Sequence, residues 1–186
     1  MVKTVFTEDE IETGKDLRFA IKDGDLEEVS RLCKTYPWLV SDTFPSFGDC
    51  AVNLAIVKKK PQVLTLLLDL GFPLNPTLQG SEGQPLETAI NYHDPNAFEE
   101  LLKRNADPNI GRPIIGAINL NDEDEGLTFV KRLLEHGCNL NRIYDLFGDM
   151  DNGFTALDWA KDKPAIAGYL RSKGAKTASE VRSGKK

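Results

Sequence analysis

The chain is poor in the residues that most enzyme chemistry requires. Its 186 residues include three cysteines, two histidines and two methionines. Cys33, Cys50 and Cys138 form no CxxC and no Cys/His cluster, so the usual spacings of a zinc site or a redox pair are missing. No Gly-rich phosphate loop, GxSxG elbow or HExxH occurs either. Long apolar runs are absent: the longest, near Leu64 to Leu68, falls far short of the ~20 residues that span a bilayer. Met1 to Glu12 carries acidic residues where an export signal needs an apolar stretch. These absences lead us to expect a cytoplasmic protein that is not an enzyme, with no cofactor, no metal and no membrane partner. Cys33 and Cys138 are expected as small buried hydrophobes, and His136 as a helix-end residue.

What the chain does have is a repeat. A hydrophobe followed three and four residues later by two more recurs as Val29/Leu32/Cys33, Val63/Leu66/Leu67, Phe98/Leu101/Leu102, Val130/Leu133/Leu134 and Ile166/Tyr169/Leu170. That spacing puts each triplet on one helical face. Successive triplets begin 34, 35, 32 and 36 residues apart. A unit of this size cannot bury its own apolar face and must stack on its neighbours, which is the logic of a solenoid.

Upstream of each triplet stands an alanine, Ala20, Ala55, Ala89, Ala117 or Ala160, where two helices can approach closely. Gln84-Pro85-Leu86 and Thr155-Ala156-Leu157 read as helix entries, with Pro85 in the first turn. Gly- or Asn-containing stops follow the second helices, in 70–75, 104–109, 136–141 and 173–177.

On these residues the chain resembles the ankyrin-repeat family over roughly 16–176. Thr155-Ala156-Leu157-Asp158-Trp159-Ala160 is nearest to the family's T-P-L-H-x-A, although the histidine is lost. Ala106-Asp107-Pro108-Asn109 keeps most of the terminal G-A-D-x-N. The resemblance implies an all-α solenoid of five degenerate helix-turn-helix repeats, about 16–47, 48–80, 81–110, 111–150 and 151–177, with finger loops between them. One domain would cover 1–177, followed by a flexible basic tail at 178–186.

Departures from the repeat point to a site. The stretch between Ala117 and Val130 is longer than its counterparts, and the fourth finger is about four residues long in excess. Insertions in solenoids map to one side, commonly the binding side. Residues 121–151 hold eight acidic and three basic side chains. Such a field attracts a basic protein and repels nucleic acid. The candidate partner-binding residues are Asp122, Glu123, Asp124, Glu125, Tyr144, Asp145, Phe147, Asp149 and Asp151, an acidic surface with aromatic anchors. Two plainer readings stay open: Asp122 to Glu125 as a solvated turn favouring a helix N-terminus, and Phe147 and Phe154 packed under their own loop. Asp149 to Gly153 lacks the alternating third ligand of a calcium loop.

By the same resemblance, the residues after each first-helix alanine project onto the concave face: Lys22/Asp23, Val57/Lys58, Asn91/Tyr92, Asn119/Leu120 and Asp162/Lys163. Tyr92 is the strongest of these, combining large area with few rotors. Lys58 to Lys60 also read as a solvated helix end, and Phe44 to Phe47 as an apolar finger tip. Trp38 and Leu39 are expected to cover the open first pair. Asn141 to Ala160 further resembles ankyrin-type immunity proteins of bacterial toxins. That resemblance implies a chain, monomeric when free, that neutralises a basic toxin such as a nuclease; an adaptor or regulatory scaffold is the alternative.

Overall fold

The computed structural model describes residues 6–40, 50–76, 83–145 and 153–184. All the regular structure among them is helical. Two compact units divide the chain, Met1–Asp107 and Pro108–Lys186, where the sequence suggests a single domain over 1–177.

In the first unit the helices are α1 (Glu8–Asp23), α2 (Leu26–Thr35), α3 (Ala51–Val57), α4 (Pro61–Asp69), α5 (Pro85–Asn91) and α6 (Pro95–Lys103). Local chemistry accounts for their ends. Thr7 and Glu10 form a capping box at α1, Asp25 caps α2 and Asp94 caps α6. Pro61, Pro85 and Pro95 open their helices at positions whose N–H groups would have no partner anyway. Helices α1, α3 and α5 pack in sequence, as do α2, α4 and α6, so each pair presents one helix to each layer. Ala20, Ala55 and Ala89 are buried in the first layer, and Val29, Val63 and Phe98 in the second.

The second unit holds α7 (Pro113–Asn119), α8 (Glu123–Glu135), α9 (Ala156–Trp159, running on as a 3-10 turn over Ala160–Asp162), α10 (Pro164–Ser172) and α11 (Ala178–Ser183). α7 packs on α9, and α8 on α10. Gly126 permits the closest helix approach here: a Cβ at that position would lie 2.5 Å from the Ala117 carbonyl oxygen. The residues added between Ala117 and Val130 form no loop. They lengthen α8 to 13 residues, against nine in α10.

A ladder of asparagines ties each connection to the next. Asn75 Oδ1 accepts from the Asp107 N–H at 3.1 Å in the first unit. In the second, Asn109 Oδ1 accepts from Asn139 N–H at 2.7 Å, and Asn141 Oδ1 from Lys176 N–H at 2.8 Å. These are the terminal asparagines of the sequence stops, which thereby satisfy backbone donors one repeat away.

Residues 178–186, expected as a flexible tail, instead begin with α11. Thr177 and Glu180 form its capping box, and Asp158 accepts the Ala178 N–H at 2.8 Å. Arg171 pairs with Glu180 at 2.8 Å, and Arg182 donates to the Gly153 carbonyl at 2.9 Å. Ala175 and Ala178 are buried. A segment without hydrophobic periodicity is thus ordered by its cap and by polar contacts to α9 and α10, which period-based reading does not detect.

Candidate functional site

In Met1–Asp107 the candidate surface is the row of first-helix C-termini. Tyr92 is 46% exposed and stands at the C-cap of α5. Its own carbonyl accepts a 2.5 Å hydrogen bond from Lys59 Nζ, which also lies 3.6 Å from Asp94. Lys60 Nζ reaches the other way and donates to the Asp23 carbonyl at 3.1 Å. Asp23 and Lys58 are exposed beside these ties. Lys59 and Lys60, read from sequence as a solvated helix end, therefore join neighbouring helix pairs. They do so by satisfying C-terminal carbonyls that a helix leaves open. Lys59 and His93 adopt positive φ, at 53° and 50°, so each turn holds a non-glycine residue in the left-handed region.

In Pro108–Lys186 Lys163 makes the equivalent tie, donating to the Leu120 carbonyl at 2.7 Å. The acidic run proves to be the start of α8. Asp122 caps the helix, its Oδ1 accepting from Asp124 and Glu125 N–H at 3.0 and 3.1 Å. Carboxylates in this first turn face the positive end of the helix dipole. Glu123 is committed further: its Oε1 accepts the N–H groups of Ala165 and Ile166 at 2.8 and 3.2 Å, so it caps α10 across the unit. Of the four acids proposed as partner-binding, Asp122 and Asp124 are exposed, whereas Glu123 and Glu125 are half-buried.

Tyr144 requires a correction. The sequence offers it as an exposed anchor, yet it is only 4% exposed. Tyr144 and Phe154 exchange both backbone hydrogen bonds, at 2.8 and 3.0 Å, in an isolated antiparallel bridge. Their rings stack at 6.0 Å, and the Arg142 guanidinium lies 5.0 Å from the Tyr144 ring centroid. Arg142 is itself held by the carbonyls of Asn109 and Gly111. The tyrosine is spent in closing the loop base, and Asp145 beside it is half-buried. Phe147, Asp149 and Asp151 lie outside the described residues, as do Phe44 to Phe47 and most of the Asp149–Gly153 stretch.

Sequence reasoning missed Trp159, and it named Asn119 only among the residues that follow each first-helix alanine. Trp159 extends the stack, its ring 4.5 Å from Phe154 at an interplanar angle of 29°. Its Nε1–H donates to Asn119 Oδ1 at 2.7 Å across 40 positions of sequence. The available signal was an aromatic beside the small-residue position of the last first helix.

Cys33, Cys50 and Cys138 are all buried, and burial raises the Cys33 thiol to about 11. It stays protonated near neutral pH. No helix among the described residues is long and apolar enough to cross a membrane. Compared with known proteins, the chain matches no protein-family profile and no curated sequence.

Proposed function

We propose that this chain is a protein-binding module of the ankyrin-repeat type, a cytoplasmic solenoid that recognises a partner rather than catalysing a reaction. The observation that carries this reading is Tyr92, a well-exposed tyrosine on a helix end whose carbonyl is pinned by Lys59. An aromatic held on a rigid frame loses little entropy on binding and is the commonest kind of interface anchor. The repeated helix pairs, the lysine ties and the asparagine ladder support the ankyrin assignment. Within that type, the aromatic and acidic stretch Asn141 to Ala160 supports an immunity protein that neutralises a basic toxin, for example a nuclease.

Affinity capture from host lysate tests this reading, with the wild-type chain beside a Tyr92→Ala, Asn91→Ala variant shown to be folded. Capture of one basic protein by the wild type alone supports the reading. That protein's toxicity in a strain lacking this chain then tests neutralisation. Equal capture by both baits removes Tyr92 from the site, and capture of a neutral regulatory protein favours an adaptor.

A further inference from the structure

Between the N-terminal halves of α4 and α6 the first unit holds a slot of about 210 Å³. Its floor is apolar: Ala55 and Ile56 of α3, Leu64 of α4 and Ala97 of α6, all buried. The two alanines leave the room, since a longer side chain at either position would fill it. Drug-sized ligands occupy pockets of about 300–1,000 Å³, and one water takes about 30 Å³. The slot therefore suits a single side chain rather than a whole ligand.

The more exposed part of the lining, its mouth, is charged. Asp94 and Glu100 stand there, with side chains 18% and 28% exposed. Lys60 also lines the slot, but its Nζ is committed to the Asp23 carbonyl at 3.1 Å. Asp94 caps α6 through Oδ1 and lies 3.6 Å from Lys59, and Glu100 Oε1 accepts from Arg104 at 2.8 Å. A carboxylate accepts at about four lone-pair sites, so each keeps capacity for a further donor. Half-buried carboxylates are also screened less than those in open water.

The slot adjoins the Tyr92 surface through one residue. Lys59 Nζ, which pins the Tyr92 carbonyl at 2.5 Å, is the same group that lies 3.6 Å from Asp94. A partner held at Tyr92 therefore has the slot beside it.

We propose that this slot receives a lysine side chain of the partner, its methylenes on the apolar floor and its ammonium against the Asp94 and Glu100 carboxylates at the mouth. Lysine fits because its unbranched stem buries along apolar surface while a compact charge with three donors stays at the rim. Leucine or methionine would use the floor and leave the carboxylates unanswered. The inference rests on the chain being a protein-binding module with a basic partner, and it names the side chain that such a partner contributes.

The test titrates the full isotope-labelled chain with propylamine, butylamine and pentylamine, and with pentanol, at physiological ionic strength. Saturable amide shifts are expected at Thr65, Asn96 and Ala97, which line the slot. Affinity is expected to rise about fourfold for each added methylene, the fold-change that its burial carries. Pentylamine is expected to bind about threefold more tightly than pentanol. Asp94→Asn with Glu100→Gln keeps a good N-cap at 94 and is expected to erase that preference while leaving pentanol unchanged. Ala97→Leu fills the slot and is expected to abolish binding of both. Should the leucine variant unfold, the chain-length series and the double variant still decide. Shifts elsewhere only, affinity independent of chain length, or equal binding of pentylamine and pentanol would overturn the proposal. The two readings fail separately: pentylamine in the slot with no captured protein sinks the partner reading alone. A partner captured equally by the wild type and by folded Ala97→Leu sinks only the lysine slot.

Discussion

Asp158 and Ala178 are joined by a 2.8 Å hydrogen bond in which the first-turn N–H of α11 donates to the carboxylate of α9. The same Oδ2 atom accepts the Thr155 N–H at 2.8 Å, and the Thr155 hydroxyl lies 2.8 Å from the Lys176 carbonyl. One carboxylate thus serves two helix starts. Asp158→Ala is expected to leave both N–H groups without their acceptor and to cost about 1–3 kcal/mol. Urea unfolding checks the cost, and amide exchange over 177–183 checks that α11 loosens first.

Acid should release the same helix. The Glu180 carboxyl is lowered from 4.5 to about 2, first by the Thr177 backbone N–H and then by Arg171. A depressed folded-state value means that the stabilisation is fully present above the unfolded value near 4.5 and is lost as pH falls from there through about 2. NMR shifts of Ala178 to Ser183 are expected to move toward coil values over that window. Glu180→Gln is expected to abolish the pH dependence there, and an unchanged profile in that variant would exclude this mechanism.

Gly126 is required by distance rather than by backbone conformation. Gly126→Ala places a methyl 2.5 Å from the Ala117 carbonyl, so α7 and α8 must separate. A loss of roughly 1–3 kcal/mol is expected, as for other overpacked sites. Gly168→Ala is the control, since a Cβ there meets nothing within 4 Å and helix propensity favours alanine. Thermal unfolding of the two variants is expected to shift in opposite directions.

Lys59→Met keeps the aliphatic stem and removes the hydrogen bond to the Tyr92 carbonyl. A stability loss of about 1 kcal/mol is expected. Capture of the partner is expected to weaken as well, although Lys59 need not touch it, because the Tyr92 cap is no longer pinned. Full capture with lowered stability would show that the tie serves the fold alone.

Much of the helical layout was legible in the chain because it depends on local rules. Period 3.6, proline in first turns and glycine at stops mark the pairs, and every alanine of the repeat is buried as close packing requires. Tyr144 was misplaced for a reason that also is physical. Exposure depends on what crosses a side chain from elsewhere, and here the crossing residue is Phe154, ten positions on. The acidic run was read either as surface for a partner or as a turn favouring a helix N-terminus; it starts α8, but that Glu123 serves a helix start 42 positions away was not legible.

The sequence by itself determined the number and order of the helix pairs, since propensity, caps and apolar period act within a few residues. It also determined that the leading hydrophobe of each triplet, Val29, Val63, Phe98, Val130 and Ile166, is buried. Only the tertiary structure decided which polar groups are consumed. Asp158 in the α11 start, Glu123 in the α10 start, the three lysines on neighbouring carbonyls and Asn119 on Trp159 all pair across 20 to 43 positions. Such pairings depend on the directions in which a folded backbone leaves its N–H and C=O groups open, and no local pattern encodes those directions.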